Sequence, residues 1–450
     1  MNYFQYINDE LYAEGLPVRE IVSQVGTPVY IYSYQTLERH FKAYDSAFGE
    51  IDHLICFAAK ANSNLAILNL LARLGAGVDI VSGGELYRAL KAGIPAERMV
   101  YAGVGKTRQE MEAALRANIL LFNVESWPEL EFLNLVAGEL GLVAPVALRV
   151  NPDIAADTHP YITTGLKREK FGLDIHQALE EYKKAKSLKN VDLAGIHVHI
   201  GSQITQVYPF VDSLAKVIDL IGKLEAEGIR IRFIDIGGGL GITYKDELPP
   251  SPQEFLQAIS PIISASSVES GSGSASAAES GSASTSGAGA GAGARSRLKV
   301  RIISEPGRVI VGNAGILVSQ VLYVKKKDEK NFLIVDAGMN DLIRPSLYKA
   351  YHEILPVRKE ERPKMVADVV GPICESGDFL ARDRELPEFM AGELLATMSA
   401  GAYGFSMSSN YNSRPRVAEV LVRGDQFSLI RERETFEDLT RGERLPDWDW

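Results

Sequence analysis

One pattern constrains the fold more than any other: short apolar, β-branched runs alternate with stretches of helical periodicity. Eight such runs occur between about residue 51 and residue 300, at Leu54–Phe57, Val78–Val81, Met99–Tyr101, Ile119–Phe122, Val146–Val150, Ile196–Ile200, Phe233–Ile236 and Val300–Ile303. Strand, helix and strand in repetition indicate a parallel sheet with crossover helices. Eight units in roughly 250 residues predict a closed (β/α)8 barrel. An open doubly wound sheet is the alternative, because the period alone does not show closure.

The pattern changes after Glu305. Strand-like runs at Leu317–Val324, Phe332–Val335 and Val417–Val422 have few helices between them and predict an all-β domain, a barrel or sandwich. A further predicted strand, Val29–Tyr32, could join either domain.

We therefore expect an α/β protein with a second, β-rich domain. Residues 1–30 would form an N-terminal segment that packs with the β domain, 31–304 the barrel, and 305–450 the C-terminal β domain. Within the barrel range, 264–297 is almost entirely Ser, Gly and Ala. Such a run cannot bury enough apolar area to offset its ordering entropy, so we predict a disordered loop between the seventh helix and the eighth strand.

Composition excludes several classes of protein. Hydrophobic residues make up 46% and charged residues 24%, which are ordinary globular values. A net charge of −10 argues against a nucleic-acid partner. We also expect no signal peptide and no membrane span, because no apolar run approaches the roughly 20 residues that a span needs. With only Cys56 and Cys374, a reducing cytoplasm is the expected compartment.

Lys60 follows the first predicted barrel strand directly. The carboxyl ends of barrel strands carry the catalytic groups in this architecture. Burial there would lower the pKa of the amine and make it a nucleophile. The alternative is a surface lysine at a strand end.

His197 and His199 alternate along one predicted strand and should face the same side. They could bind a metal. However, the chain has only seven histidines and no second cluster of them, so we expect no metal site. In the other interpretation, one imidazole lies against a planar ligand and the other fills the barrel.

Two turns indicate an anion site. Gly237–Gly241 follows the seventh strand and Glu305–Arg308 follows the eighth. Loops after these strands are the usual phosphate site of the barrel, and glycines expose backbone N–H groups to an anion. The near match Gly105–Thr107 is not a nucleotide P-loop, because Val100 stands where that motif needs glycine.

Cys374 and Glu375 lie among turn residues of the β domain. A thiol beside a carboxylate could donate a proton while the neighbouring anion binds a ligand. The alternative is a buried cysteine that acts as a small hydrophobic residue.

Together these motifs resemble the fold-type III decarboxylases that depend on pyridoxal phosphate. The resemblance covers nearly the whole chain except the insert, and its motifs occur in the family order: Ala59–Asn62, His197–Gln203, the triple glycine, Glu305–Arg308 and Cys374–Glu375. Two further stretches, Met339–Tyr348 and Ala402–Met407, resemble the members that convert meso-2,6-diaminopimelate to L-lysine and CO2, the last step of lysine biosynthesis.

The resemblance implies pyridoxal 5'-phosphate as cofactor. Lys60 would bind it covalently, Glu305 would hydrogen-bond its ring nitrogen, and His199 would stack on its ring. The remaining implied contacts to the cofactor are Ser202, Gly238, Gly239, Arg308 and Tyr403.

The resemblance also implies how the substrate is held. Arg344 and Tyr348 would bind the distal carboxylate and Glu375 the distal ammonium, while Cys374 would supply a proton. Arg308 and Tyr403 would contact substrate as well. In this family the Cys374 and Glu375 positions complete the neighbouring subunit's site, which implies a homodimer.

Three other functions stay open at this point. An ornithine- or arginine-type decarboxylase of the same fold would have no need of Arg344. A non-catalytic relative should lack the Cys374–Glu375 pair and the β domain. A metal hydrolase on the same barrel would respond to a chelator.

We predict that deleting most of 264–297, with a short linker left in place, preserves folding and activity. Closure entropy grows slowly with loop length, so the free energy of unfolding should change by under roughly 1 kcal/mol. Thermal melting of the deletion variant beside the full chain measures this. A large fall in the midpoint would mean that the segment packs or assembles.

Overall fold

The fold is known from a computed structural model, which describes residues 2–154, 170–265 and 300–448. The chain begins with a small antiparallel sheet and a helix, followed by a strand and a helix: β1 (Phe4–Ile7), β2 (Glu10–Ala13), β3 (Leu16–Pro17), α1 (Val18–Val25), β4 (Val29–Ser33) and α2 (Tyr34–Ala47).

Parallel strands and helices then alternate as predicted. They are β5 (His53–Ala58), α3 (Leu65–Arg73), β6 (Gly77–Ile80), α4 (Gly83–Lys91), β7 (Met99–Tyr101), α5 (Arg108–Ala117), β8 (Leu121–Val124), α6 (Trp127–Glu139), β9 (Ala144–Asn151), β10 (Leu173–Asp174), α7 (Ile175–Ala185), β11 (Val191–His197), α8 (Tyr208–Ala226), β12 (Phe233–Asp235), α9 (Pro252–Ala265) and β13 (Arg301–Ser304).

The parallel sheet closes on itself. Strand β13 pairs with β5, and β8 pairs with β9, so the ring of eight strands has no free edge; the short β10 only extends β9. This confirms the (β/α)8 barrel over the open sheet. Helix α9 runs through Ser264 and Ala265, two residues into the predicted loop, and the rest of 264–297 lies outside the described residues.

Local sequence explains where these elements begin and end. Helix α5 starts at a capping box, in which the Thr107 hydroxyl accepts from the Glu110 amide and the Glu110 carboxylate accepts from the Thr107 amide. It ends at Asn118 in the left-handed conformation, which asparagine tolerates. The fourth barrel strand begins at Leu121, two residues after the predicted start at Ile119, and the Leu120 amide just before it donates to the carbonyl of Met99, the first residue of β7.

The barrel interior is layered because side chains two residues apart share a strand face. The lower layer is an apolar cluster of Leu54, Cys56, Val100, Leu121, Ala147, Ala194 and Ile303. Toward the carboxyl ends of the strands, the next inward positions carry buried polar groups: Asp79, Asn123, Arg149, His197, Asp235 and Glu305. The barrel therefore presents chemistry at one end only.

The C-terminal part of the chain forms a second, mainly antiparallel sheet. The elements of this part of the chain are α10 (Arg308–Val311), β14 (Gly315–Lys326), β15 (Asn331–Val335), α11 (Arg344–Tyr348), β16 (Ile354–Pro356), β17 (Lys364–Val370), β18 (Phe379–Pro387), β19 (Leu394–Thr397), β20 (Ala418–Arg423), β21 (Gln426–Arg431) and α12 (Phe436–Thr440). Strand order is β18-β17-β15-β14-β4-β20-β21, with β19 also on β14 and β16 on β19.

Strand β4 ties the N-terminal segment into this second sheet. It pairs antiparallel with β14 and parallel with β20, so the predicted strand at Val29–Tyr32 joins the β domain. One apolar cluster contains Leu11 and Ile21 from the N-terminal segment together with Val318 and Val420 from the sheet. In the described residues no helix is both long and apolar enough to cross a membrane.

A buried carboxylate joins the two domains. Glu419 of β20 is fully buried and accepts hydrogen bonds from Tyr32 at 2.8 Å, from Asn64 of the barrel at 2.9 Å and from Arg431 at 2.6 Å. Its oxygens therefore satisfy two buried donors, on Tyr32 and Asn64, and pair with the half-buried Arg431.

We predict that Glu419→Ala lowers the free energy of unfolding by about 3 kcal/mol, because it leaves the buried Asn64 amide and Tyr32 hydroxyl without this acceptor and removes the ion-pair partner of the half-buried Arg431. Denaturant unfolding measures this loss. Glu437→Ala, at an exposed position of α12, is the control and should change stability by less than about 0.5 kcal/mol. Equal effects of the two substitutions would contradict the prediction.

Candidate active site

A cavity of about 470 Å³ lies where the carboxyl ends of the barrel strands meet the second domain. Of the residues singled out from the sequence, it is lined by Lys60, His199, Ser202, Gly239, Glu305, Arg308, Arg344, Tyr348 and Tyr403. Its volume suits a cofactor or a small molecule. The two domains thus contribute to one site.

Another cavity, of about 460 Å³, lies between α1 and the second sheet. Its lining includes Arg19, Arg358 and Arg362, each of which is paired with a glutamate. No residue singled out from the sequence lines it. The chemistry is therefore concentrated at the barrel mouth.

Lys60 follows β5 and pairs with a buried carboxylate. Its Nζ lies 2.6 Å from Oδ2 of Asp79, a fully buried residue of β6. Burial by itself would lower the pKa of Lys60, but the charges of Asp79, Glu305 and Tyr403 outweigh it and raise that pKa above its usual range. The prediction of a lowered lysine pKa is therefore wrong: Lys60 is an ammonium in an ion pair with Asp79.

The pKa of the Asp79 carboxyl is raised as well. Burial and the nearby Glu305 raise the pKa of Asp79 to about 7, while Lys60 opposes them. A carboxyl with this pKa, in contact with the lysine, can accept the lysine's proton when the amine reacts. Sequence reasoning missed Asp79, although a carboxylate inside the apolar run Val78–Val81 was a visible signal.

Glu305 belongs to a buried cluster below the cavity. The Asn123 amide donates to Oε1 of Glu305 at 3.2 Å and to Oδ2 of Asp235 at 2.9 Å, and His197 Nε2 lies 3.6 Å from Oε2 of Glu305. The ligand atoms of His197, Asp235 and Glu305 are within 4.8 Å of one another, close enough for a metal. Hydrogen bonding through Asn123 already accounts for the two carboxylates, and the expectation of no metal stays a prediction.

The two carboxylates of this cluster differ in charge. Burial opposes ionisation of Glu305, but His197, Lys60 and His199 outweigh it and hold the pKa of Glu305 below its usual range. Burial and the charge of Glu305 raise the pKa of Asp235 well above its usual range. Because two adjacent buried carboxyls do not both ionise, Asp235 keeps the proton and Glu305 the negative charge.

His199 lies beyond the end of β11, which stops at His197, so the prediction that both histidines lie on one strand is wrong. Its Nδ1 accepts a hydrogen bond from the Gly238 amide at 3.2 Å, which fixes the ring. Burial, then the charges of Arg149 and Lys60, lower the pKa of His199 well below its usual range. The ring is therefore neutral and fixed at the cavity wall.

The glycines after β12 allow the loops at the barrel mouth to pack backbone against backbone. A Cβ on Gly238 would lie 2.1 Å from the Glu305 carbonyl oxygen. Gly239 has φ of +116° and would place a Cβ 2.4 Å from the Gly201 carbonyl oxygen. Only glycine fits at either position, and the result is a tight backbone cradle beside the cavity.

Arg308 crosses the cavity from the barrel side. Its Nη1 donates to the Tyr244 hydroxyl at 2.6 Å and its Nη2 to the Ser202 hydroxyl at 3.1 Å, and its guanidinium carbon lies 5.0 Å from the centre of the Tyr403 ring. Its buried Nε has no hydrogen-bond partner among the described residues.

Arg344 reaches the same cavity from the second domain. It is 5% exposed, its Nη1 lies 2.8 Å from His352 Nε2, and its guanidinium carbon lies 4.5 Å from the centre of the Tyr244 ring. Within the described ranges, neither Arg344 nor Arg308 has a carboxylate partner. Two buried cations without an anion predict an anionic ligand.

Tyr403 lines the same cavity as Lys60 and has an unusual backbone conformation. Its φ is +56°, a conformation that costs energy in a bulky residue and that clusters at functional sites. Its amide donates to the Ala61 carbonyl at 2.8 Å, one residue after Lys60. The second domain is thereby joined to the catalytic turn of the barrel.

Cys374 and Glu375 lie elsewhere, exposed on the turn after β17 and outside the cavity lining. The Cys374 amide is bonded to the Asn412 side chain at 2.7 Å. The alternative of a buried, hydrophobic cysteine is therefore wrong. Tyr244 and His352, which line or support the cavity, were missed because no motif marks them.

Comparison with known proteins agrees with this arrangement of a lysine, a buried carboxylate and a glycine cradle on a barrel. The family described as "Pyridoxal-dependent decarboxylase, pyridoxal binding domain" matches residues 34–286. The chain therefore belongs to the pyridoxal-dependent decarboxylases.

The chain is similar to several diaminopimelate decarboxylases. Diaminopimelate decarboxylase of Aquifex aeolicus is 50% identical, over 97% of this chain and 96% of the relative. That of Vibrio cholerae is also 50% identical, over 98% of each chain. The crystal structure of diaminopimelate decarboxylase from M. jannaschii in co-complex with L-lysine superposes with a TM-score of 0.88 at 37% identity, over 98% of both chains.

Proposed function

We propose that this protein uses pyridoxal 5'-phosphate to decarboxylate meso-2,6-diaminopimelate to L-lysine and CO2. The observation that carries this proposal is Arg344, a buried guanidinium that faces the lysine cavity without a carboxylate partner among the described residues. A substrate with a second carboxylate would supply that partner. The names of the similar decarboxylases support the same substrate.

The described residues fit the cofactor. Lys60 offers an amine for its aldehyde, the ionised Glu305 offers an acceptor for a protonated ring nitrogen, and His199 offers a neutral flat face. The close-packed glycine loop lines the cavity at Gly239, where its backbone would lie against a phosphate. When bound, the cofactor accepts the electron pair that the departing CO2 leaves behind.

The protein's own groups prepare that chemistry. The Asn123 and His197 contacts hold Glu305 as an anion, and Asp79 holds Lys60 and can take up its proton. Because Glu305, Asp79, Asn123 and His197 are buried, water screens their interactions less, and each interaction is stronger than it would be at a surface.

We further propose a homodimer. Cys374 and Glu375 are exposed and lie outside the cavity of their own chain. A second copy would bring the pair to this cavity, where Glu375 would bind the distal ammonium and Cys374 would donate a proton. The free Cys56 and Cys374 suit a reducing cytoplasm, in which we propose the enzyme acts.

We predict that Lys60→Ala abolishes both CO2 release and the near-visible absorbance of the lysine-linked cofactor, because alanine has no amine with which to bind the cofactor. Absorbance before and after borohydride reduction measures the link. Lys245→Ala, an exposed lysine near the cavity, is the control and should keep the band. A borohydride-reducible band in the Lys60 variant would overturn the assignment.

We predict that Arg344→Ala lowers kcat/KM for meso-diaminopimelate about a hundredfold or more, because the distal carboxylate loses a bidentate partner in a buried site. Arg344→Lys should also be impaired, since lysine keeps the charge but not the planar fork. CO2 release from meso-diaminopimelate, ornithine and arginine is the assay. If ornithine or arginine is the best wild-type substrate, the proposed function is wrong.

A further inference from the structure

His352 lies behind Arg344, in the segment between α11 and β16, and is fully buried. Its Nε2 is 2.8 Å from Arg344 Nη1, and its Nδ1 is 2.8 Å from the Met398 carbonyl oxygen. A carbonyl only accepts hydrogen bonds, so Nδ1 carries the proton. Nε2 then has a lone pair, and it accepts from the arginine.

We propose that His352 is a positioning residue that makes the site selective for a distal carboxylate by fixing the orientation of the Arg344 guanidinium. This inference rests on the proposed function and adds a determinant of its specificity. His352 itself does not line the cavity, so it acts through the arginine.

The geometry shows which edge of the guanidinium is left for a ligand. Nη1 is occupied by His352, while the buried Nε has no hydrogen-bond partner among the described residues. Nε and Nη2 together form the edge that binds a carboxylate with two parallel hydrogen bonds. By holding Nη1, His352 leaves that edge for the substrate.

Tyr244 completes the support. Its ring packs under the guanidinium, with 4.5 Å between the ring centre and the guanidinium carbon, and meets the His352 ring edge-on at 5.3 Å and 75°. The Tyr244 hydroxyl accepts from Arg308, so one tyrosine spaces the two arginines. Arg344 is thus restrained by a face contact and an in-plane hydrogen bond, which together leave it little rotational freedom.

The hydrogen bond from Arg344 requires a neutral imidazole. Burial first, and then the charge of Arg344, lower the pKa of His352 to about 3, against the opposing effect of the Met398 carbonyl. The other charged groups that face the ring are Arg308 and Arg384, and both act in the same direction. The acceptor is therefore present throughout the pH range in which the enzyme would be assayed.

Two ligands isolate the contribution of the distal carboxylate. L-Lysine and cadaverine have the same carbon chain and the same two amines, but only lysine carries a carboxylate. Binding of each to the cofactor-loaded enzyme is measured by calorimetry, together with kcat and KM for meso-diaminopimelate.

Two substitutions separate the effects of the two hydrogen bonds that the His352 ring makes. In His352→Gln the amide oxygen falls near the position of Nε2 and can still accept from Arg344. In His352→Asn the shorter amide falls near Nδ1, keeps the bond to the Met398 carbonyl and does not reach the arginine. Both remove the ring, so they share its packing loss and serve as matched controls.

We expect His352→Asn to weaken lysine binding about tenfold or more, the size of one lost hydrogen bond to a charged group, and to leave cadaverine binding unchanged. KM for meso-diaminopimelate should rise more than kcat falls. His352→Gln should keep the lysine-to-cadaverine ratio within about threefold of wild type. In an Arg344→Ala background, His352→Asn should have no further effect on that ratio.

Equal loss of both ligands in the two variants would overturn the inference, as would a preserved ratio in His352→Asn. Thermal midpoint and cofactor absorbance are measured first; if His352→Asn does not fold, His352→Leu replaces it and should give the result expected of His352→Asn. Failure of wild type to release CO2 from meso-diaminopimelate would overturn the proposed function instead. The two failures are therefore distinguishable.

Discussion

The site depends on the burial of several carboxylates at one end of the barrel. Asp79, Asp235 and Glu305 are packed away from water within one cluster, and they cannot all be ionised together. In the structure each carboxyl has a different set of contacts, although Asn123 donates to both Asp235 and Glu305. Lys60 pairs with Asp79, Asp235 keeps its proton, and His197 with Asn123 supports the charge of Glu305. The result is a carboxylate anion at Glu305 and an ammonium at Lys60, and both residues line the same cavity.

This arrangement needs a closed barrel with a two-layered interior. The apolar layer beneath, which includes Val100 and Ile303, excludes water from the floor of the polar layer. Without that floor, the pKa differences between the carboxyls would shrink toward their values in water. The same logic explains why the inward side chains change from apolar to polar two residues further along strands such as β12 and β13.

The two domains together form a cationic wall of the cavity. Arg344 and Tyr403 line the cavity from the β domain, and Arg308 and Tyr244 line it from the barrel. Their relative placement depends on the contacts that join the domains, such as Glu419 with Asn64 and the Tyr403 amide with Ala61. A substrate with a negative charge at each end could bind arginines from both domains at the same time.

The sequence by itself determined the elements and most of the residues at the site. Period and strand length predicted the barrel, and turn position after particular strands indicated Lys60, the glycine loop and Glu305, because a chemical motif on a barrel strand has only one end at which it can act. The sequence did not determine whether the pKa of Lys60 is raised or lowered, nor that β11 ends before His199. It also did not indicate the contacts that Asp79, Tyr244 and His352 make. Those depend on which side chains meet across strands and domains. His352 and Arg344 are only eight residues apart in the sequence. Their contact nevertheless requires the turn between α11 and β16, and the carbonyl of Met398, the residue after β19, which fixes the His352 ring. Only the tertiary structure decides such contacts, because charge and hydrogen bonding act through space, and the distance along the chain does not give the distance between the atoms.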